Sequence, residues 1–187
     1  TRVMKLVSII VPLYKSEPFI KETLESVLAQ TYSSFELVVI DDGSPDNSAE
    51  LCRKLADPRI RVFPRKNTGP CRARNFGITQ AKGEYIAFID HDDKWLPEKL
   101  EKHLEHLNRA PQVGISYGPS AFIDVEGKRL GLYQVPKLTG VDAREAVADE
   151  LLQDEALAAE QPRAELLLEG DAHLGASRRA EERVLLA

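Results

Sequence analysis

Three short segments that are almost wholly apolar constrain the fold of this chain more than any other feature. Lys5–Val11, Phe35–Ile40 and Tyr85–Ile89 are rich in Val, Ile and aromatic residues and show no regular alternation of apolar and polar positions. Such runs are typical of strands that are covered on both faces by other elements. They predict a mainly parallel sheet with helices on both sides.

Helical segments separate these strands. Glu17–Gln30 has apolar residues at helical spacing, with Ser16 as its predicted N-cap and Pro18 in its first turn. The remaining predicted elements are helices over Asp46–Leu55, Gly69–Gln80 and Pro97–Leu107, strands over Ile60–Phe63 and Val113–Tyr117, and a hairpin of Ala121–Asp124 with Arg129–Gln134. Strands that alternate with helices predict an α/β fold with right-handed crossovers.

Composition narrows the class of protein. The 187 residues suit one domain at ~100–200 residues per domain. With 43% hydrophobic residues the chain can bury a core, and a net charge of −5 without a long basic run argues against nucleic acid as its main partner. Cys52 and Cys71 predict neither a disulfide framework nor a zinc site. No apolar run reaches the ~20 residues of a membrane helix, and no signal peptide is evident, so we expect a cytoplasmic protein.

The chain changes character near residue 140. Residues 141–187 contain 12 acidic and five basic residues, a net charge of −7, whereas residues 1–140 carry +2. Two interpretations of this Ala-, Leu-, Glu- and Arg-rich tail remain open. It either forms peripheral amphipathic helices over Asp142–Ala159 and Arg163–Leu168, or it is not the natural continuation of the domain, through truncation or a change of reading frame.

Polar residues follow three of the predicted strands. They are Pro12 to Tyr14, the pair Asp41 and Asp42, and the run from Asp90 to Asp93. Ligands of open parallel sheets bind beyond the carboxyl ends of the strands. Five carboxylates at one edge would repel each other and need a counter-charge or a cation. The alternative is that they are ordinary loop residues, since Asp is favoured in turns.

The spacing of Asp90 and Asp92 suits a divalent cation. Mg²⁺ and Mn²⁺ prefer oxygen ligands, and Mg²⁺ sites often combine one or two carboxylates with substrate phosphates. We therefore expect these two residues to bind Mg²⁺ or Mn²⁺ next to a diphosphate.

The other polar groups at this edge suit a nucleotide. Asp41 and Asp42 could accept hydrogen bonds from a ribose hydroxyl or from the imide N–H of uracil or thymine, or could form an Asx-turn with Gly43 and Ser44. Lys66, Arg72 and Arg74 stand near the start of a predicted helix, where they would favour a diphosphate, or they form a solvated basic face.

Six segments in a fixed order carry a resemblance to a known family: Val7–Tyr14, Leu24–Tyr32, Phe35–Ser44, Asn67–Pro70, Arg72–Gly77 and Gly83–Asp93, the last followed by Trp95, Leu96 and Pro97. Together they resemble glycosyltransferase family 2, enzymes of the GT-A fold that use nucleotide-diphosphate sugars. The resemblance covers roughly residues 5–125. It implies a GT-A-type, Rossmann-like αβα sandwich in which residues 1–140 form the nucleotide-sugar-binding core.

The resemblance also implies roles for individual residues. Pro12 and Tyr14 would line the base pocket, with Glu17 nearby, and Asp42 would bind the edge of uracil or thymine. The residues that would lie close to the ribose and phosphates are Asn67, Gly69 and Arg74. Asp90 would contact the ribose or a water of the cation, and Asp92 would bind Mg²⁺ or Mn²⁺ directly.

The activity that the resemblance implies is the inverting transfer of a sugar from a UDP- or dTDP-sugar. The acceptor would be a hydroxyl of a saccharide or lipid-linked saccharide, in cell-surface polysaccharide synthesis. Its site would be cytoplasmic, with peripheral contact at the inner membrane face. The alternative is a nucleotide-sugar-binding module with an incomplete acceptor site. A phosphoacceptor receiver domain is excluded, because the isolated aspartate and the lysine that it needs do not fall in place.

The general base is where the sequence departs from the family pattern. The family usually supplies it from an acidic pair before a short helix that contains Leu and Arg. The nearest likeness here is Gln153–Leu157, with Glu160 where an Arg is expected. Asp154 is thus the candidate base, and the alternative is that it is an exposed helix acid.

Overall fold

Strands and helices alternate along the chain in the computed structural model, which describes residues 4–110, 114–118, 120–133 and 183–185. The helices are α1 Ile20–Leu28, α2 Ser48–Lys54, α3 Pro70–Gln80 and α4 Lys99–Arg109. The strands are β1 Val7–Leu13, β2 Phe35–Asp41, β3 Ile60–Pro64, β4 Tyr85–Phe88, β5 Ile115–Ser116, β6 Ser120–Ile123, β7 Arg129–Tyr133 and β8 Arg183–Leu185.

Six of the described strands form one parallel sheet in the order β3-β2-β1-β4-β8-β5. Strand β1 lies at its centre, where Ile10 is in register with Val38 on one side and with Phe88 on the other. Strands β6 and β7 form a separate antiparallel hairpin, as predicted. The α/β class expected from the sequence is confirmed.

Both faces of the sheet are covered. All seven residues of β1 are buried, and their side chains alternate between two apolar clusters. Val7, Ile9, Val11 and Leu13 pack in the cluster that includes residues of α1, α2 and α4. Ile10 packs on the opposite face, where α3 contributes Ala73 and Ile78. Each fully buried aliphatic side chain stabilises the fold by about 1.5–3 kcal/mol, so this strand contributes substantially to core stability.

The predicted end of β1 is wrong, because the strand runs through Pro12 to Leu13 rather than ending at Val11. Its pairing with β4 stops at Ile10, whereas its pairing with β2 continues to Leu13. Backbone groups alternate sides along a strand, and the carbonyl of Leu13 accepts a bond from Asp42 N–H in the direction of β2. Pro12 therefore faces the unpaired side, where its missing N–H costs no ladder bond.

The predicted start of α1 is also wrong. The helix begins at Ile20 rather than Glu17, and Ser16 does not cap it with its side chain. The backbone carbonyl of Ser16 instead accepts hydrogen bonds from the N–H groups of Phe19 and Ile20, and this makes a turn before the helix. Its hydroxyl is buried without a hydrogen-bond partner among the described residues. Other helix and strand ends differ from the prediction by no more than two residues, the usual error for element ends.

The acidic tail is described only at residues 183–185. These form β8, which pairs with Tyr85–Ala87 of β4 and with β5. The helices predicted at Asp142–Ala159 and Arg163–Leu168, and the candidate base Asp154, lie outside the described residues. Among the helices that the structure describes, none has the length and apolar character needed to span a bilayer.

Candidate functional site

The polar residues that follow β1, β2 and β4 come together at the carboxyl edge of the sheet, because the three strands are parallel neighbours. Pro12 is buried at the end of β1, and Tyr14 follows it with an exposed ring. The ammonium of Lys15 lies 5.3 Å from the centroid of that ring. An exposed aromatic face at this position can stack with a nucleotide base.

Asp42 fixes the loop that leads into α3. Only 3% exposed, its carboxylate accepts bonds from the backbone N–H of Thr68 at 3.0 and 3.1 Å and from the backbone N–H of Gly69 at 2.8 Å. The hydroxyl of Thr68 adds a bond at 3.3 Å. A carboxylate in this position sets where α3 begins. Its predicted contact with a uracil or thymine edge stays a prediction, since these bonds already occupy part of its acceptor capacity.

Asp41 forms the Asx-turn that was the alternative interpretation of this pair. Its Oδ1 accepts the backbone N–H of Ser44 at 2.9 Å. Gly43 lies in this turn at φ +73°, and a Cβ there would be 3.0 Å from the backbone nitrogen of Asn67. The turn thus needs glycine twice over, for its backbone conformation and for the close approach of residue 67. Asn67 itself is exposed at the same edge.

Arg74 and Asp90 form an ion pair across the edge. Arg74 Nη2 lies 2.6 Å from Asp90 Oδ1, and the arginine side chain is only 11% exposed. Because Arg74 stands in the second turn of α3, Asp42 positions it indirectly through the start of that helix. The guanidinium offsets one negative charge of the aspartate cluster and keeps donors free for another acceptor.

Asp92 and Asp93 complete the cluster after β4. The side chain of Asp92 is 55% exposed and lies 3.5 Å from the Nδ1 atom of His91. Burial raises the pKa of Asp93, and the negative charges of Asp90 and Asp92 raise it further. Asp93 therefore lies close enough to Asp90 and Asp92 for their negative charges to disfavour its ionised form.

The donor set fits a hard divalent cation that is shared with a ligand. No group of three or more acidic, His or Cys side chains able to hold a metal occurs in the described part of the chain. Asp90 and Asp92 can still supply one or two carboxylate oxygens, and Mg²⁺ commonly takes the rest of its ligands from water and substrate phosphates. Such a site gains its cation together with the phosphates.

Glu17 contacts the residues that lead into α2, and its predicted place near the base pocket stays a prediction. Its carboxylate accepts the backbone N–H of Asn47 at 3.2 Å and the side-chain amide of Asn47 at 3.1 Å. Its own N–H donates to Asp46 at 3.2 Å. Burial raises the pKa of Asp46, but bonds from Ser48 and from Glu17 N–H outweigh it, so the net shift is downward. These contacts join the loops after β1 and β2.

Sequence reasoning missed Thr68 and a group of titratable residues on α4. Thr68 stands just before the glycine and proline that begin α3, and that position was the available signal.

On α4, burial lowers the pKa of Lys99 to about 8, against the opposing effect of Asp93. The ammonium of Lys99 lies 5.4 Å from the Trp95 ring centroid. No sequence pattern marks this lysine, because its burial depends on how α4 packs.

Comparisons with known proteins identify the family of this chain. The sequence matches the family model described as Glycosyl transferase family 2 over residues 8–153. An uncharacterized glycosyltransferase of Haemophilus influenzae is 40% identical over 137 residues, which are 72% of this chain and 54% of that protein. The putative teichuronic acid biosynthesis glycosyltransferase TuaG of Bacillus subtilis is 40% identical over 105 residues, 54% of this chain and 42% of TuaG. The chain thus spans about half the length of these curated relatives.

Solved structures show the same architecture. S. aureus TarS 1-349 in complex with UDP-GlcNAc matches with a TM-score of 0.56 and 32% identity, over 59% of this chain and 33% of that one. The mannosyltransferase PcManGT of Pyrobaculum calidifontis, in complex with GDP-Man and Mn²⁺, matches with a TM-score of 0.58 and 28% identity, over 63% of this chain and 36% of that one. The fold is of the GT-A type, and the chain belongs to glycosyltransferase family 2.

Proposed function

We propose that this chain is the donor-binding part of an inverting glycosyltransferase that takes a UDP- or dTDP-sugar together with Mg²⁺ or Mn²⁺. The observation that carries the proposal is the ion pair of Arg74 with Asp90 beside the exposed Asp92, at the carboxyl edge of a parallel sheet. An arginine and two aspartates in this arrangement suit a diphosphate and a cation that share ligands.

Base recognition would occur at the ends of β1 and β2. Tyr14 offers an aromatic face, and Pro12 and Glu17 border the same loop. Asp42 could accept the imide N–H of uracil or thymine. Asn67 and Gly69, in the loop that Asp42 holds, would approach the ribose and phosphates. UDP-GlcNAc in the TarS complex supports a uridine donor, and GDP-Man in the PcManGT complex is the alternative.

Asp92, with Asp90, would hold the cation. When bound, the ion neutralises charge on the departing diphosphate. Arg74 would contribute a second positive charge to the phosphates while it orients Asp90. The solved complex of PcManGT contains both GDP-Man and Mn²⁺, which supports a divalent ion here.

Transfer would invert the anomeric centre. The acceptor oxygen forms a bond to the anomeric carbon from the face opposite the diphosphate, the bond from that carbon to the diphosphate oxygen breaks, and a carboxylate takes the hydroxyl proton. Asp154 is the candidate base. The name of TuaG, a putative teichuronic acid biosynthesis enzyme, supports a saccharide or lipid-linked saccharide acceptor in cell-surface polysaccharide synthesis. A lipid-linked acceptor would place the reaction at the inner membrane face.

The proposal is tested by thermal unfolding with UDP, dTDP or GDP, each with and without Mn²⁺. We expect UDP or dTDP with Mn²⁺ to raise the melting temperature by roughly 5–10 °C at saturation, and more than either component alone. The replacement Asp92→Asn removes one anionic ligand, so the Mn²⁺-dependent part of the shift should disappear.

The matched control is Glu50→Gln, which replaces an exposed carboxylate on α2. It should keep the full shift. A shift in Asp92→Asn that still depends on Mn²⁺ would overturn the role of that residue. No shift with any of the three nucleotides would overturn the proposed function.

A second candidate is a binding module that holds the nucleotide sugar but has no complete acceptor site. It is favoured by Glu160 at the place of the expected Arg and is compatible with coverage of 54% of the first relative. Binding of UDP with Mn²⁺, without release of UDP from UDP-sugars across an acceptor panel, would favour this candidate. Release that depends on an acceptor would favour the transferase.

A further inference from the structure

One face of α1 carries polar side chains that all bond to residues 91–100. They are Thr23, Ser26 and Gln30, the last just beyond the helix end, and their spacing places them in one row. We call these three residues the α1 polar row. The segment that they contact begins inside the aspartate cluster and ends in the first turn of α4. None of the three was assigned a role by the sequence or by the resemblance.

Thr23 makes the contact nearest to the site. Its Oγ1 donates to the backbone carbonyl of His91 at 2.9 Å, and the residue is only 1% exposed. Threonine inside a helix commonly bonds to a carbonyl of its own preceding turn. Here the hydroxyl bonds outside the helix, to a residue 68 positions further along the chain.

The carbonyl of His91 belongs to the peptide group that joins His91 to Asp92. Since a peptide group is planar, holding its oxygen also fixes the orientation of the Asp92 Cα. The side chain of Asp92 is 55% exposed, and its ion-pair distance to His91 Nδ1 is a long 3.5 Å. The direction of the Asp92 side chain therefore depends on the His91–Asp92 peptide group, which Thr23 holds by its hydrogen bond.

Ser26 and Gln30 hold the rest of the segment. The hydroxyl of Ser26 accepts the backbone N–H of Trp95 at 3.1 Å and donates to the carbonyl of Thr23 at 2.7 Å. Gln30 donates to the carbonyl of Leu96 at 2.7 Å and accepts the N–H of Leu100 at 3.0 Å. Helix α4 has no side-chain cap of its own, so Gln30 supplies a partner for one of its free N–H groups.

We propose that the α1 polar row positions the metal-binding loop, with Thr23 as the residue that orients Asp92. This inference rests on the proposed function only in calling the loop a metal site. Thr23, Ser26 and Gln30 act through the backbone of residues 91–100 and do not touch the ligand. They are positioning residues.

The test compares Thr23→Val, Thr23→Ser and a control. Valine keeps the branched shape but has no donor, so the carbonyl of His91 loses its partner. We expect the Mn²⁺ midpoint in the presence of UDP to rise by about 10- to 100-fold, as is typical when an outer partner of a metal ligand is removed. Thr23→Ser keeps the hydroxyl and should restore the midpoint to near the wild-type value.

The control is Thr79→Val, which removes a threonine bond of 2.7 Å to the carbonyl of Phe76 within α3. It loses a similar bond but leaves residues 91–100 alone. Trp95 is the single tryptophan of the chain and lies within the segment, so paramagnetic quenching of its fluorescence reports Mn²⁺ binding directly.

Hydrogen exchange of the protein without ligand separates this inference from the proposed function. Thr23→Val should speed exchange of the backbone amides of Asp93 and Trp95 by about tenfold, and Thr79→Val should not. If the wild type binds no Mn²⁺ with UDP, the proposed function fails, and this exchange alone decides whether the row holds the loop. If Thr23→Val changes neither the exchange nor a measurable Mn²⁺ midpoint, the inference is overturned and the proposed function stands.

Discussion

His103 joins helix α4 to the outer strand β5, because its Nδ1 atom lies 2.8 Å from the hydroxyl oxygen of Ser116. Burial of the ring, together with the neighbouring charges of Lys99 and His106, lowers its pKa to about 4. The ring is therefore neutral at pH 7 and shares one hydrogen bond with the Ser116 hydroxyl. A neutral histidine in this place makes the contact between α4 and β5 sensitive to acid.

Acid should weaken the protein through this residue. Between pH 6.5 and about 4 the unfolded chain binds a proton at position 103 that the folded chain does not, so the free energy of unfolding falls as the pH is lowered. His103→Gln removes this contribution. Over that pH interval the free energy of unfolding of the variant should fall by on the order of 1 kcal/mol less than that of the wild type, after allowance for solvent screening.

Urea unfolding at pH 7 and pH 4.5 measures the difference. Asn108→Gln, an uncharged exchange on the exposed part of the same helix, is the control and should follow the wild type. Equal acid losses in the wild type and in His103→Gln would contradict the prediction.

The turn between α3 and β4 depends on the absence of a side chain at Gly83. Its N–H donates to the hydroxyl of Ser8 at 2.8 Å, and the N–H of Lys82 donates to Glu36 at 2.7 Å. Burial raises the pKa of Glu36, but bonds from Ser8, Arg61 and Lys82 outweigh it and lower the pKa overall. The turn is thus fixed by a buried carboxylate at the amino edge of the sheet, opposite the candidate site.

Gly83→Ala should destabilise the fold by about 3 kcal/mol, because the new Cβ would be 2.6 Å from two backbone atoms, the carbonyl oxygen of Leu6 and the nitrogen of Ser8. Backbone atoms of a central strand cannot move aside cheaply. Denaturant unfolding at pH 7 checks the value. The control is Gly131→Ala in β7, where an added Cβ has no neighbour within 4 Å among the described residues. It should change stability by less than about 0.5 kcal/mol, and an equal loss in both variants would refute the steric explanation.

The elements themselves could be predicted from the sequence, because buried strands such as Val7–Leu13 are nearly continuous apolar runs. Their ends could not. Pro12 continues β1 because β4 has already stopped pairing, and Ser16 fails to cap α1 because its carbonyl makes the turn instead. Both outcomes depend on neighbours that are distant in the chain or on local bonds with no sequence signature.

The same limit applies to the candidate site. It could be predicted that the polar residues after each strand meet, because parallel strands place their carboxyl ends at one edge. The partners could not. Asp42 bonds to Thr68, 26 residues away, and Thr23 bonds to His91, 68 residues away. Such contacts follow from packing of whole elements, and no short motif reports them.

At the scale of the molecule, the site lies where the strand order reverses. From β1 the chain proceeds to β2 and β3 on one side of the sheet and then returns to β4 on the other. Loops that leave β1 and β4 therefore diverge and open a space at the carboxyl edge. The amino edge is instead closed by the buried contacts of Ser8, Glu36 and Gly83.

Ligand binding should therefore protect one edge of the molecule. We expect UDP with Mn²⁺ to slow amide hydrogen exchange in residues 41–44, 66–74 and 90–93, because these segments form the carboxyl edge. The amides of Lys82 and Gly83 at the amino edge should keep their rates. Mass spectrometry of the wild type with and without ligand measures both sets, and protection confined to the amino edge would place the ligand elsewhere.

Strand β1 pairs with β4 only as far as Ile10, although it pairs with β2 as far as Leu13. The last residues of β1 therefore have an unpaired edge on the side of β4, which leaves a gap in the sheet. An unpaired strand edge usually attracts a further strand, from the same chain or from a second copy. Pro12 is the residue whose backbone faces this gap, and it offers no amide hydrogen. An added strand would therefore lack an amide donor at Pro12, which disfavours strand addition at this point of the sheet.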